Sequence, residues 1–173
     1  MDGINDGPQW YALNVKTGYE HYVSAQLQQR GETDFLPTYN VSVRRAGRDV
    51  ICHKPLFPGY LFCHFSWSQG PKLYTIVGFL KVVGAGKTPI AVPDEDIDAI
   101  QRVVCSGLTI QSLPMVQPAS RVIVTDGPLR GLKGTIVAQN NSESLIVSVP
   151  LLQRSLAVVL DRNWLSATVE ATT

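Results

Sequence analysis

The sequence predicts an α+β chain in which an antiparallel sheet covered by helices is followed by a small all-β unit. Three observations carry this. Before residue 107, extended runs rich in aromatic and branched residues ("QWYALNV", "DVICHKPLF", "GYLFCHFSW") are mixed with two helix-patterned segments. The stretch "LTIQSLPMVQPAS" then has two prolines, no charge and no clear period, and reads as a linker. Beyond it, short strand-like runs alternate with turns over the last third of the chain, the pattern of a small, strongly bent β-barrel. The expected organisation is a first domain over 8–107, a linker over 108–118 and a barrel over 119–173.

Each element has a local reason. Residues 9–15 form the first strand, and "TGYE" fits a capping box with Thr17 as N-cap and Glu20 three residues on. Tyr19, Tyr22, Val23 and Leu27 recur at helical spacing, and Gly31 supplies the stop. "FLPTYNVSVRR" and "DVICHKPLF" are extended runs joined at "AG", so they read as a hairpin with Arg44, Arg45 and Arg48 at its tip. "GYLFCHFSW" is a third run, followed by a Ser/Gln/Gly/Pro loop over 66–72 and a short strand near "FLKVVG". A second helix starts at "PDEDIDAIQRVV", with Asp94 able to cap it and Ile97, Ile100, Val103 and Val104 as its apolar stripe. The barrel strands are "RVIVT", "GTIVAQ", "SLIVSV" and "RSLAVVL".

Composition narrows the function. A chain of 173 residues, 45% hydrophobic and 17% charged, is ordinary globular material. No run reaches the roughly 18 apolar residues of a membrane span. "MDGINDGPQW" lacks the regions of a secretory signal, so a cytoplasmic location with no membrane partner is expected. Cys52, Cys63 and Cys105 are too few and scattered for a disulfide framework. The formal net charge of +1 gives no global pull on nucleic acid, so any such contact is local, and "RRAGR" with Lys16 are the candidates beside the plainer reading of a solvated tip.

Three motifs invite chemistry and fail on spacing. "GAGKT" at 84–88 ends like a phosphate-binding loop, yet Lys81 stands where that loop needs its first glycine and Pro89 leads into an extended segment. Cys52-His53 and Cys63-His64 lie on predicted strands, where adjacent residues point to opposite faces and a four-ligand zinc site is awkward. Asp94, Glu95, Asp96 and Asp98 sit in a first helical turn, where dipole and free amides favour carboxylates without a metal. His21 stands among helix residues, no serine occupies a nucleophile turn and no carboxylate pair has an acid–base role. No enzymatic activity, cofactor or metal is expected.

The motifs "WYALNVKTGYE", "PLFPGYLF" and "VVGAGKTPIAVPDEDI" stand in the order and spacing of a NusG N-terminal domain, and "DGPLRGLKGTIV" looks like the KOW motif. The chain thus resembles the NusG family of transcription elongation factors over nearly its whole length. "FPGYLF" with "LLQRSLAVVLD" is similar to the specialised UpxY and RfaH-like antiterminators, while Ala119 and Ser120 depart from the glycine of many KOW domains. The resemblance implies an NGN-type first domain with an antiparallel sheet flanked by helices and an SH3-like KOW barrel. It implies a monomeric bacterial factor that suppresses pausing and termination on selected operons.

The resemblance also implies sites. Tyr11, Phe57, Pro58, Tyr60, Phe62, Ile97 and Ile100 would contact the clamp helices of the largest subunit of RNA polymerase. Alternation buries part of that set, roughly half of it, in the sheet. Gln69, Gly70, Pro71 and Lys72 would reach the opposite side of the cleft, although "QGPK" differs from the threonine-rich form. Lys16, Thr17, Tyr19, His21 and Tyr22 would touch nontemplate-strand DNA, with Val77 standing where RfaH carries an arginine. Leu151, Leu152 and Arg154 would meet a small-subunit ribosomal protein or Rho. The alternative is a ribosome-associated or general RNA-binding KOW protein using Arg130, Lys133 and Arg154. Against it, five basic residues face four acidic ones beyond residue 117.

Overall fold

The computed structural model of the chain describes residues 7–86, 88–114, 120–139 and 142–167. These fall into two compact units, Met1–Asp94 and Glu95–Thr173, so the second helix is grouped with the C-terminal strands.

In the first unit the central strand is β1 (Gln9–Val15). It pairs antiparallel with β5 (Tyr60–Phe65) on one side, from Gln9↔Phe65 to Asn14↔Tyr60. Its other side pairs with β6 (Phe79–Val82) and with β9 (Ala91–Val92). The short β2 (Thr33–Phe35) closes the far edge of β5. Helix α1 (Glu20–Gln29) covers one face, with Val23 and Leu27 fully buried against Tyr11, Leu13, Val15, Leu61, Cys63 and Phe65. These alternate positions are what a strand offers to one side. Asp34 ties α1 to β2 by accepting from Ser24 Oγ and from Gln28 Nε2 at 2.9 Å.

The start of α1 differs from the expected capping box. Tyr19 is the N-cap and makes no side-chain cap bond; Glu20 is the first helical residue and its carboxylate turns elsewhere. The stop is the one predicted: Gly31 N donates to Gln28 O and Glu32 N to Leu27 O, both at 3.0 Å, which is a Schellman ending.

Strands β3 (Thr38–Arg45) and β4 (Arg48–Pro55) make a two-stranded ribbon of their own, in register from Thr38↔Pro55 to Arg45↔Arg48. The expected loop after β5 is instead a 3-10 helix, Trp67–Thr75. Periodicity could not find it, because that helix repeats every three residues and "WSQGPKLYT" carries no apolar stripe at 3.6. "GAGKT" is a minimal hairpin: β7 (Gly84–Ala85) pairs with β8 (Thr88–Pro89), which fits turn glycines and not a phosphate cradle. Lys87 lies outside the described residues.

The second unit opens with α2 (Asp94–Cys105), whose Ile97, Ile100 and Val103 are buried as the stripe predicts. The four predicted strands are present as β11 (Ser120–Val124), β12 (Lys133–Gln139), β13 (Ser142–Val149) and β14 (Arg154–Leu160). Two more join them, β10 (Ile110–Pro114) and β15 (Leu165–Ala167), in the order β10-β14-β13-β12-β11-β15. The segment read as linker therefore contains a strand, paired from Ile110↔Val158 to Pro114↔Arg154. It is an edge strand ending at a proline, where a missing N–H is tolerated. Residues 115–119, which include Ala119, lie outside the described residues. Leu145, Leu156 and Val158 are fully buried at the centre of this sheet.

Candidate functional site

The turn at Phe57–Tyr60 is built by its own sequence. Tyr60 N donates to Phe57 O at 3.0 Å, and Gly59 takes φ +81, as a type II turn with Pro at its second position requires. Three further contacts fix it. Glu20 Oε1 accepts from Gly59 N at 2.7 Å, Val15 N donates to Gly59 O at 2.9 Å, and Asn14 Nδ2 donates to the same carbonyl at 3.1 Å. Glu20 Oε2 accepts in turn from Gly18 N at 2.7 Å. One carboxylate, only 3% exposed, thus joins the turn to the loop that enters α1.

The residues implied for a polymerase contact divide between the two faces of the sheet. Tyr11 pairs with Cys63 and lies in the core under α1, its ring 4.9 Å from Phe65, its hydroxyl donating to Gln9 Oε1 at 3.3 Å. Burial raises its pKa. Phe62 pairs with Ala12 one position on, so it points to the other face. There it meets Phe57 edge-on at 6.2 Å and stacks with Phe35 at 6.1 Å. Phe57 and Phe62 are 1% and 0% exposed, and Ile97 and Ile100 are equally buried on α2. Of the seven residues, Pro58 is exposed and Tyr60 half-buried; the other five are core.

Sequence reasoning missed the neighbours that share this face. Trp10 and His64, directly opposite on β1 and β5, hold their rings 5.2 Å apart and are half-buried, as are Asn14 and Phe35. The signal was available: in a strand, Trp10 and Asn14 flank Ala12 at a period of two, and Tyr60 and His64 flank Phe62.

The set implied for DNA is partly assembled. Lys16 Nζ lies 5.1 Å from the centre of the Tyr19 ring, which meets Tyr22 edge-on at 6.2 Å. Lys16 N donates to Gly78 O at 2.8 Å, which brings the exposed Val77 beside this group. Tyr22 is 48% exposed, an accessible ring of the kind that stacks on bases. His21 turns away, its Nε2 3.0 Å from the carbonyl of His53 on the ribbon. Thr17 is exposed beside Gly59.

Gln69, Gly70, Pro71 and Lys72 lie within the 3-10 helix, whose far end is held by Arg30: its Nη1 donates to Lys72 O at 3.0 Å and to Thr75 Oγ1 at 2.8 Å. In the second unit Leu151 and Leu152 form a 3-10 turn over Pro150–Leu152, closed by Gln153 at φ 51. Leu152 is buried, Leu151 half-buried, and Arg154 exposed, as are Arg130 and Lys133.

Two chemical readings are now tested by position. Cys52 belongs to the ribbon and Cys63 to the main sheet, so the Cys-His pairs do not sit on adjoining strands, and no metal-binding cluster of three or more ligands forms among the described residues. Burial, and then the Glu95 carboxylate, push Asp96 above its ordinary value. No helix among the described residues is long and apolar enough to cross a membrane.

A half-buried aromatic pair and a lysine 5.1 Å from the centre of the Tyr19 ring mark the first unit, and six strands in one sheet mark the second. Residues 8–101 match the family model described as "Transcription termination factor nusG", more than half of the chain. The chain belongs to the NusG family of transcription factors. It is 30% identical over 179 residues to the transcription termination/antitermination protein NusG of Thermus thermophilus, covering 88% of this chain and 95% of that one. It is 26% identical over 171 residues to the same protein of Rickettsia felis, covering 90% and 88%. The structure of Thermotoga maritima NusG shares the fold, with a TM-score of 0.58 at 18% identity over 94% of this chain and 98% of that one.

Proposed function

We propose that this chain is an elongation and antitermination factor that docks on the clamp helices of the largest RNA polymerase subunit through the face of the first sheet opposite α1. The observation that carries this reading is the Phe57–Tyr60 turn, which presents an exposed Pro58 and a half-buried Tyr60, is held by four hydrogen bonds and leads into a strand face that carries Trp10, Phe35 and His64. Preformed aromatic anchors lose little freedom on binding and carry most of the energy of such interfaces. Phe57, Phe62 and Tyr11 support the surface from beneath. Ile97 and Ile100 of α2 belong to the same proposed contact, over a first domain of residues 8–107.

Binding across the polymerase cleft disfavours the open, pause-prone state, and no bond is made or broken by the factor. Gln69 to Lys72 supply the contact on the opposite side. Lys16, Thr17, Tyr19, His21 and Tyr22 supply the nontemplate-strand contact, which directs the factor to selected operons as in RfaH-like proteins. The barrel, through Leu151, Leu152 and Arg154, recruits a small-subunit ribosomal protein or Rho. The test is a pausing assay with Tyr60→Ala and Trp10→Ala chains whose thermal unfolding matches the parent. The proposal expects longer pauses and at least about a tenfold loss of polymerase affinity, the loss of one hot-spot ring. Unchanged elongation by both variants removes this face from the interface.

A further inference from the structure

We propose that the β3–β4 ribbon is an arm that grips double-stranded DNA by its phosphates, a role separate from the polymerase and nontemplate-strand surfaces. The first observation is charge. Residues 38–55 hold Arg44, Arg45, Arg48 and Lys54 against the single acid Asp49, a surplus of three, while the whole chain is only +1, so the remaining residues carry a net −2. The basic character of the molecule is concentrated on this one element.

The second observation is how the tip is made. Ala46 and Gly47 both take positive φ, 49 and 79, which gives the tight two-residue turn that matches strand twist. That turn sets Arg45 directly opposite Arg48. Like charges facing across a strand pair weaken it, and alanine at positive φ adds strain. Asp49 stands opposite Arg44 in the register, yet among the described residues no ion pair or side-chain hydrogen bond engages Arg44, Arg45 or Arg48. Every residue from Arg44 to Ile51 is exposed, so both faces of the outer ribbon are wet. An arrangement that costs stability and leaves three guanidinium groups free is suited to an external polyanion, since the planar fork is weakly hydrated and matches phosphate oxygens.

The third observation is shape. Eight-residue strands at about 3.3 Å per residue make an arm of roughly 26 Å. Its base is held by Leu56 N donating to Pro37 O at 2.8 Å and by the His21 ring 3.0 Å from the His53 carbonyl. A two-stranded ribbon fits the major groove of B-form DNA, about 12 Å wide, whereas the deep, narrow major groove of A-form RNA excludes it. Duplex DNA is therefore the partner this geometry selects.

The experiment measures fluorescence anisotropy of the full chain with a DNA duplex and with the RNA duplex of the same sequence, from about 50 to 200 mM salt, without polymerase. Three phosphate contacts give a slope of log affinity on log salt of about −2.7, or about a 40-fold loss over that range. The triple variant Arg44→Ala, Arg45→Ala, Arg48→Ala binds weakly with a slope near zero, the triple lysine variant keeps the slope, and Asp49→Asn binds more tightly than the parent. Matching circular dichroism shows that the variants stay folded. The proposal is overturned if the parent binds neither duplex, if it prefers RNA, or if the triple alanine variant keeps the parent's slope. Because polymerase is left out, none of these results bears on the clamp contact, and a failed pausing assay leaves this one intact.

Discussion

The Glu20 carboxylate and the Gly59 amide are 39 residues apart and 2.7 Å from each other. A residue that begins a helix thereby sets the position of the turn that presents Pro58 and Tyr60. Glu20→Ala leaves the Gly18 and Gly59 amides without their acceptor, which costs about 2–4 kcal/mol for two charge-assisted bonds. Glu20→Gln keeps one acceptor oxygen and loses about half as much. Urea unfolding of the three chains, set beside their affinity for polymerase, checks this: both quantities should fall in the order Glu, Gln, Ala.

Gly78 allows Tyr19 to lie where it does. Its φ is +92, and a Cβ there would stand 2.6 Å from Cδ1 of the Tyr19 ring. Gly78→Ala forces the ring aside and strains the backbone, at about 1–3 kcal/mol. The variant should crosslink less to nontemplate-strand DNA in a paused complex while the isolated chain still unfolds cooperatively. Undiminished crosslinking would separate Tyr19 from that contact.

The Cys63 thiol is fully buried and is pushed up to about 12, by burial first and then by the Glu32 and Asp34 carboxylates. In the unfolded chain the same thiol ionises near 9. Below that pH both states hold the proton and nothing is lost. Between about 9 and 12 the unfolded state gives it up while the folded state keeps it, so stability falls by about 1.4 kcal/mol per pH unit. Subtracting the profile of Cys63→Ala isolates this slope. At neutral pH a thiol reagent should modify Cys105 fastest, Cys52 next and Cys63 only on unfolding.

Leu151 and Leu152 are adjacent and should behave oppositely. Leu152→Ala empties a buried site in the second unit and costs about 2–4 kcal/mol. Leu151→Ala, at a half-buried position, should change stability by less than about 1 kcal/mol and weaken binding to the ribosomal protein or Rho. A partner titration in which Leu151→Ala equals the parent removes that leucine from the surface.

The sequence was most legible where one period dominates. The strand at 9–15, the apolar stripe of α2 and the four branched runs after residue 120 lie where alternation or helical spacing put them. It was least legible where bonding, not burial, decides. The 3-10 helix at Trp67–Thr75 has no apolar stripe of its own, and β10 is too short to show a period. The Thr17–Glu20 spacing suggested a capping box, but the carboxylate was taken by Gly59, a partner 39 residues away that no local pattern reveals.

The candidate site was legible as composition and not as geometry. Alternation reports that Tyr11 and Phe62 face opposite ways, yet both faces of this sheet carry aromatic residues, so pattern alone does not say which rings remain accessible. Pro58 and Tyr60 are accessible because the turn lifts them clear, while Trp10 and His64 went unremarked beside more conspicuous motifs.

The position of β1 at the centre of its sheet also governs how the chain leaves the ribosome. Trp10 emerges early but cannot complete its neighbours until His64, and then Val92, have been synthesised. At about 5–20 residues per second that is an interval on the order of 4–16 s, during which an apolar N-terminal strand lacks its full set of neighbours. A nascent-chain series cut before and after residue 92 should show protease resistance arriving in one step, late, and not growing with length.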